Sequence, residues 1–172
     1  IAFRGTDDTL TGWQEDFCLS YETVPAQISA VNYLNKHIKR GRKYRIGGHS
    51  KGGNLAVYSV LSLKRNRSNI LSIYSNDGPG LYFRYLTEEQ KKAFAYFEPR
   101  IIKIIPEFDV FGMMFSRIPN TIVIKSDAFT LLQHSAMSWL VEGKNFVPGT
   151  LSKESKALQK ELDTMLNTLT PE

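Results

Sequence analysis

The sequence predicts an α/β domain built on a mostly parallel central sheet flanked by helices, and three observations carry that expectation. Segments with strand character alternate with segments of helical spacing along the chain, the pattern that strand–helix–strand units leave in a sequence. The segment 101–105 reads Ile-Ile-Lys-Ile-Ile, the near-continuous apolar run of a strand buried on both faces. A glycine-rich turn at 47–53 falls between a strand pattern and a helix pattern.

The elements follow in order. Residues 1–4 open as a short strand and 5–8 as a turn, with a short helix at 10–17. In 25–40, Pro25 suits a first helical turn, and Ile28, Val31, Leu34 and Ile38 recur at helical spacing. Residues 44–49 read as a strand and 52–64 as a helix carrying Leu55, Val57, Val60, Leu61 and Leu63. An apolar strand at 70–75 precedes a helix at 87–97, which Thr87 and Gln90 open as a capping box. Strands follow at 101–105 and 121–125, then a late hairpin at 137–141 and 146–147. The segment 150–169 is an amphipathic helix with Leu151, Leu158, Leu162, Met165 and Leu169. Thr170 and Pro171 suit the start of a further helix. There is no initiator Met and Ile1 reads as already inside a strand, so the chain is expected to be part of a longer polypeptide.

A chain of 172 residues suits one domain and buries roughly 70% of its unfolded surface. Ten Phe, eight Tyr and two Trp supply core material, which excludes disorder along the whole chain. A single cysteine, Cys18, excludes an internal disulfide framework and a cysteine-based zinc site. It fits a reducing compartment, and the expected location is cytoplasmic. No apolar run approaches the ~18 residues of a membrane span, and no signal peptide is visible. His37, His49 and Glu15 have no metal-ligand spacing, so neither a metal nor an organic cofactor is expected.

In an open parallel sheet, ligands bind beyond the carboxyl ends of the strands, and the chemistry-bearing residues fall there. Gly48-His49-Ser50-Lys51-Gly52 fits G-x-S-x-G at a strand-to-helix turn. A serine in such a turn occupies strained backbone, and small neighbours two positions away let strand and helix pass closely. Gly48 and Gly52 supply that room. The helix N-terminus points at Ser50, and the Lys51 amide can donate to an oxyanion. The competing reading is a glycine-rich anion-binding turn, although neither phosphate-loop spacing is present.

A serine nucleophile needs a general base. Of the three histidines, His37 precedes Ser50 on a helix and His49 adjoins it. His134 alone follows at a distance, in a loop after the strand at 121–125. The acid is expected at Asp109, after the buried strand 101–105 and two strands beyond the nucleophile. Asp127 is the runner-up and Glu107 the third candidate. Asp77, at the end of the intervening strand, reads as a turn residue.

These residues resemble a known family. Phe3-Arg4-Gly5-Thr6 followed by Trp13 and Asp16 is similar to the F-R-G-[ST]…W-x-x-D segment of class 3 lipases. Gly48-His49-Ser50-Lys51-Gly52-Gly53-Asn54-Leu55-Ala56 resembles their G-H-S-x-G-G-x-L-A elbow. The Lys after the serine and the Gln133-His134…Ser138-Trp139 segment resemble a bacterial branch of lipase-like α/β-hydrolases more closely. The likeness implies an α/β-hydrolase fold, with a core at 1–148 whose first strands lie outside this sequence. A C-terminal helix at 149–172 would pack on that core or extend from it. It implies Ser50, Asp109 and His134 as the triad, Thr6 and Lys51 as oxyanion donors, and Trp13 and Asp16 at a lid or site entrance. Two departures stand out. Lys51 replaces an apolar residue, and the 25-residue step from Asp109 to His134 is shorter than in fungal lipases.

Charge adds one expectation. The net charge is +5, and residues 23–76 hold ten basic and no acidic side chains. Lys39, Arg40, Arg42 and Lys43, and again Lys64, Arg65 and Arg67, fall where helices end and strands begin. Cations there complement helix dipoles. The sharper expectation is a basic face, opposite the catalytic one, that docks on an anionic membrane or polymer. Nucleic-acid binding is not expected, because no recognition motif accompanies the charge. The sequence therefore points to a serine hydrolase acting on a small-molecule or lipid ester. The rivals are a catalytically silent binding module of the same fold, and an acyltransferase or thioesterase.

Overall fold

In a computed structural model, residues 1–5, 23–115 and 118–169 are described. Strands β1 (Ala2–Phe3), β2 (Tyr44–His49), β3 (Ile70–Asn76), β4 (Ile101–Pro106) and β5 (Thr121–Ile124) form one sheet in the order β1-β2-β3-β4-β5. Every neighbouring pair is parallel. Helices α1 (Pro25–His37), α2 (Lys51–Leu61), α3 (Glu88–Phe97) and α4 (Lys153–Leu169) complete an α/β architecture. Strands β6 (Val141–Glu142) and β7 (Asn145–Phe146) form a separate antiparallel hairpin.

The sequence explains the layering. Helix α2 packs on β1, β2 and β3 and touches both α1 and α3. Its Ala56, Val57, Val60 and Leu61 are buried with Leu34 and Ile38 from the α1 side, Ile46, Ile73 and Ile101 from the sheet, and Phe97 from α3. Each Val, Leu, Ile or Phe side chain among them contributes about 1.5–3 kcal/mol on burial. Pro25 starts α1 at its first turn, and Thr87 starts α3, its Oγ1 accepting the Gln90 amide at 3.2 Å.

Several boundaries differ from expectation, among them the end of α2, at Leu61 rather than residue 64, and the start of α4, at Lys153 rather than residue 150; two have a local cause. Helix α1 ends at His37 rather than residue 40, since the chain turns extended at Ile38, whose side chain joins the core. The hairpin lies at 141–146 because Ala136–Ser138 takes a 3-10 turn and Gly143 supplies a positive φ of 61°. The predicted helix at 10–17 lies outside the described residues. Among those described, no helix is long and apolar enough to cross a membrane.

Candidate functional site

The site forms where β2, β3 and β4 end. Strand β2 delivers Ser50 into a turn with φ 54° and ψ −129°, a conformation that non-glycine residues rarely adopt. Neighbouring backbone holds it there. The Ser50 amide donates to Asn76 O at 2.9 Å, and Ser50 O accepts the Gly53 amide at 2.8 Å. The turn has no room for side chains at its flanks. A Cβ on Gly48 would strike the backbone of Gly52 and lie 2.7 Å from Phe3 O, and one on Gly52 would strike Phe3 O. Lys51 opens α2 and is buried at its N-terminus.

His134 ends a 3-10 turn at Thr130–His134. Its Nε2 lies 3.0 Å from Ser50 Oγ, and its Nδ1 lies 2.7 Å from Asp77 Oδ2. The ring is a quarter exposed, whereas Asp77 is buried. Five further contacts fix the loop. His49 Nε2 donates to the His134 carbonyl at 2.6 Å, and its ring packs 4.8 Å from that of His134. Phe111 packs on the ring from 4.6 Å. Gln133 accepts the Phe108 amide at 2.9 Å, and its own carbonyl accepts the Trp139 indole N–H at 2.9 Å. Burial lowers the His49 pKa, which favours a neutral ring beside His134.

The carboxyl group that reaches His134 is that of Asp77, not of Asp109 as expected. Asp77 follows β3 with φ 49°, a left-handed turn that aspartate tolerates. Its amide donates to Ile104 O at 2.7 Å, and Asn54 of α2 ties down the loop beyond it. Asn54 Nδ2 donates to Pro79 O at 3.2 Å and to Gly80 O at 3.0 Å, while its Oδ1 accepts from Gln27 at 2.9 Å. The loop after β4 instead turns back at Gly112, placing Asp109 behind Asp77. The Gly112 amide donates to Oδ1 of both, at 3.1 Å for Asp77 and 2.8 Å for Asp109.

Lys103 of β4 is also buried there, its Nζ donating to Gly78 O at 2.6 Å. Burial pushes Asp109 well above the usual carboxylate range, and a hydrogen bond to Asp77 and the Asp77 charge push the same way. Burial likewise raises Asp77, but there the hydrogen bond from Asp109 and the Lys103 charge oppose it. Burial lowers Lys103, and the two carboxyl groups draw it back.

The other candidate acids lie elsewhere. Asp127 is exposed, and Glu107 accepts the Thr150 amide at 3.0 Å, helping seat the start of α4. Thr6, Trp13 and Asp16 lie outside the described residues. Sequence reasoning missed Asn54, Lys103, Gly112 and the His49 contact as site residues. The signals were present: a lysine inside an apolar strand, and Asn76-Asp77-Gly78-Pro79-Gly80 at a strand end.

The basic junctions meet at the amino-terminal ends of the strands. Asn66 Nδ2 donates to Ile38 O at 3.1 Å and Asn69 Nδ2 to Lys39 O at 2.8 Å, which ties the two segments together.

No curated protein and no solved structure matches the chain. A family model described as Mbeg1-like matches residues 1–172, the whole chain. The chain belongs to the Mbeg1-like family.

Proposed function

We propose that the protein is a serine hydrolase of the α/β-hydrolase fold that cleaves carboxylic esters through Ser50, His134 and Asp77. The supporting observation is the unbroken line from Ser50 Oγ through both nitrogens of His134 to Asp77, at 3.0 and 2.7 Å. His134 Nε2 takes the Ser50 proton as Oγ attacks the ester carbonyl. Asp77 holds Nδ1–H and stabilises the imidazolium that forms. The tetrahedral oxyanion faces the start of α2, where the Lys51 amide is a donor. His134 then returns the proton to the leaving alkoxide, and an acyl-Ser50 ester remains. Water, deprotonated by His134, attacks that ester and releases the carboxylic acid and free Ser50.

A series of p-nitrophenyl esters of graded acyl length tests this reading. The expected result is turnover with a burst of one nitrophenol per protein, absent in Ser50→Ala. No turnover of any ester, or equal turnover by Ser50→Ala, would overturn it.

A further inference from the structure

Asp109 occupies the strand end where an acid was expected, yet it does not touch His134. Its surroundings define another task. The side chain is buried at 1% exposure. Oδ1 accepts the Gly112 amide, and the Asp109 amide donates to Ser155 Oγ of α4 at 2.8 Å. Among the described residues no donor reaches the buried Oδ2. A buried carboxylate oxygen without a donor carries a large desolvation cost. A carboxylic acid at the same place loses that cost, because its O–H becomes the donor. The acceptor is at hand: Asp77 lies beside Asp109, since the Oδ1 atoms of both accept the same Gly112 amide.

We propose that Asp109 is a positioning residue that carries a proton and donates it in a hydrogen bond to Asp77, holding that carboxylate against His134 Nδ1. The inference rests on the Ser50–His134–Asp77 reading. Two carboxylates side by side repel, so one of them keeps a proton. Asp77 is the better anion, since it alone of the two faces His134 Nδ1, at 2.7 Å. Lys103 compensates the single remaining negative charge from behind, and its bond to Gly78 O pins the residue next to Asp77. Asp77 then has the Gly112 amide and the Asp109 carboxyl as donors besides His134, which leaves its carboxylate one orientation. Burial and the Asp77 charge act on Asp109 in the direction this arrangement requires.

Two measurements on the full chain test the proposal without turnover. In protein with 13C-labelled aspartate, one carboxyl carbon is expected to hold its protonated position from about pH 5 to pH 8, where ordinary aspartates are ionised. It is expected to vanish in Asp109→Asn. If every carboxyl carbon titrates in the ordinary range, or if the flat one survives in Asp109→Asn, the proposal fails. The second readout is the downfield proton resonance of His134 Nδ1–H. It is expected in the parent protein, lost to exchange in Asp109→Leu, and rescued in Asp109→Asn, whose amide can still donate to Asp77. An equally sharp resonance in Asp109→Leu would overturn the positioning role. Neither readout depends on a reactive serine, so failure of the hydrolase reading, seen as no burst with any ester, is distinguished from failure of this one.

Discussion

Asp77 meets His134 Nδ1 at 2.7 Å from a buried, left-handed turn at the end of β3. That geometry leaves Nε2 as the nitrogen facing Ser50 Oγ at 3.0 Å. A carboxylate on Nδ1 selects the tautomer whose Nε2 lone pair is free to take a proton. The ring is held from its backbone side as well, since His49 donates to the His134 carbonyl. Orientation therefore comes from several directions before any substrate arrives.

Asp77→Asn removes the anion and keeps the shape. The amide can donate to Nδ1 and favour the wrong tautomer, and the expected loss in kcat is about 10⁴-fold. Asp109→Asn preserves a donor toward Asp77, and the expected loss is at most about tenfold, smaller than in Asp109→Leu. Ester turnover by the three variants checks the order. Equal losses in Asp77→Asn and Asp109→Asn would contradict it.

The elbow glycines answer to backbone, not to a flexible side chain. Gly52→Ala would place its Cβ against Phe3 O, and Gly48→Ala would place one against Gly52. Overpacking typically costs about 1–3 kcal/mol, and a clash against the fixed backbone of β1 and α2 belongs at the upper end. Urea unfolding is expected to show that loss for each variant. Gly41→Ala differs: it meets no neighbour within 4 Å but carries a φ of 78°, and so loses only local backbone energy.

Asn54 joins α1, α2 and the loop after Asp77. Asn54→Ala removes the acceptor of the Gln27 amide and the donor to the Pro79 and Gly80 carbonyls. A single buried group left without its partner costs about 1–3 kcal/mol. The expected stability loss is of that order, with an activity loss larger than stability explains, because the loop sets the Asp77 orientation. Comparing ester turnover at full folding with urea midpoints checks both parts.

Stability should depend on pH through Asp109. Its folded pKa is raised, with burial the largest cause, so the folded state binds the proton more tightly than the unfolded chain does. That contribution is fully present below the unfolded value of about 3.9 and is lost as pH rises toward the folded one. Asp109→Asn has no such group. The melting temperature of Asp109→Asn relative to the parent is therefore expected to climb between about pH 4 and pH 7. A constant difference across that window would contradict a proton on Asp109.

The basic junctions give a surface prediction. With Lys39, Arg40, Lys64 and Arg65 exposed at the end of the sheet away from Ser50, co-sedimentation with anionic vesicles is expected to exceed that with neutral ones and to fall with added salt. Equal pelleting with both would remove the membrane reading.

Much of the fold was legible because its signals are local. Pro25, the Thr87–Gln90 box and the apolar run at 101–105 each mark an element by its own chemistry. The Ser50 turn was legible for the same reason, since its glycines answer to a steric demand at fixed spacing. The choice between Asp77 and Asp109 was not legible. Both end adjacent parallel strands, and the course of the loops alone decides which carboxylate reaches His134. That course is set by long-range bonds, Asn54 to Pro79 and Gly80 and Gly112 back to both aspartates, which leave no periodicity. Lys103 showed only as an interruption of an apolar strand, because its partners lie on a neighbouring loop.

The most direct test of the central claim is labelling by a fluorophosphonate probe, which reacts with an activated serine. The parent protein, Ser50→Ala and His134→Ala should be compared at equal folded concentration. The account predicts one probe per parent chain, attached at Ser50, none in Ser50→Ala, and a rate at least about 10³-fold lower in His134→Ala. A folded parent that takes up no probe, or labelling that persists unchanged in His134→Ala, would contradict it.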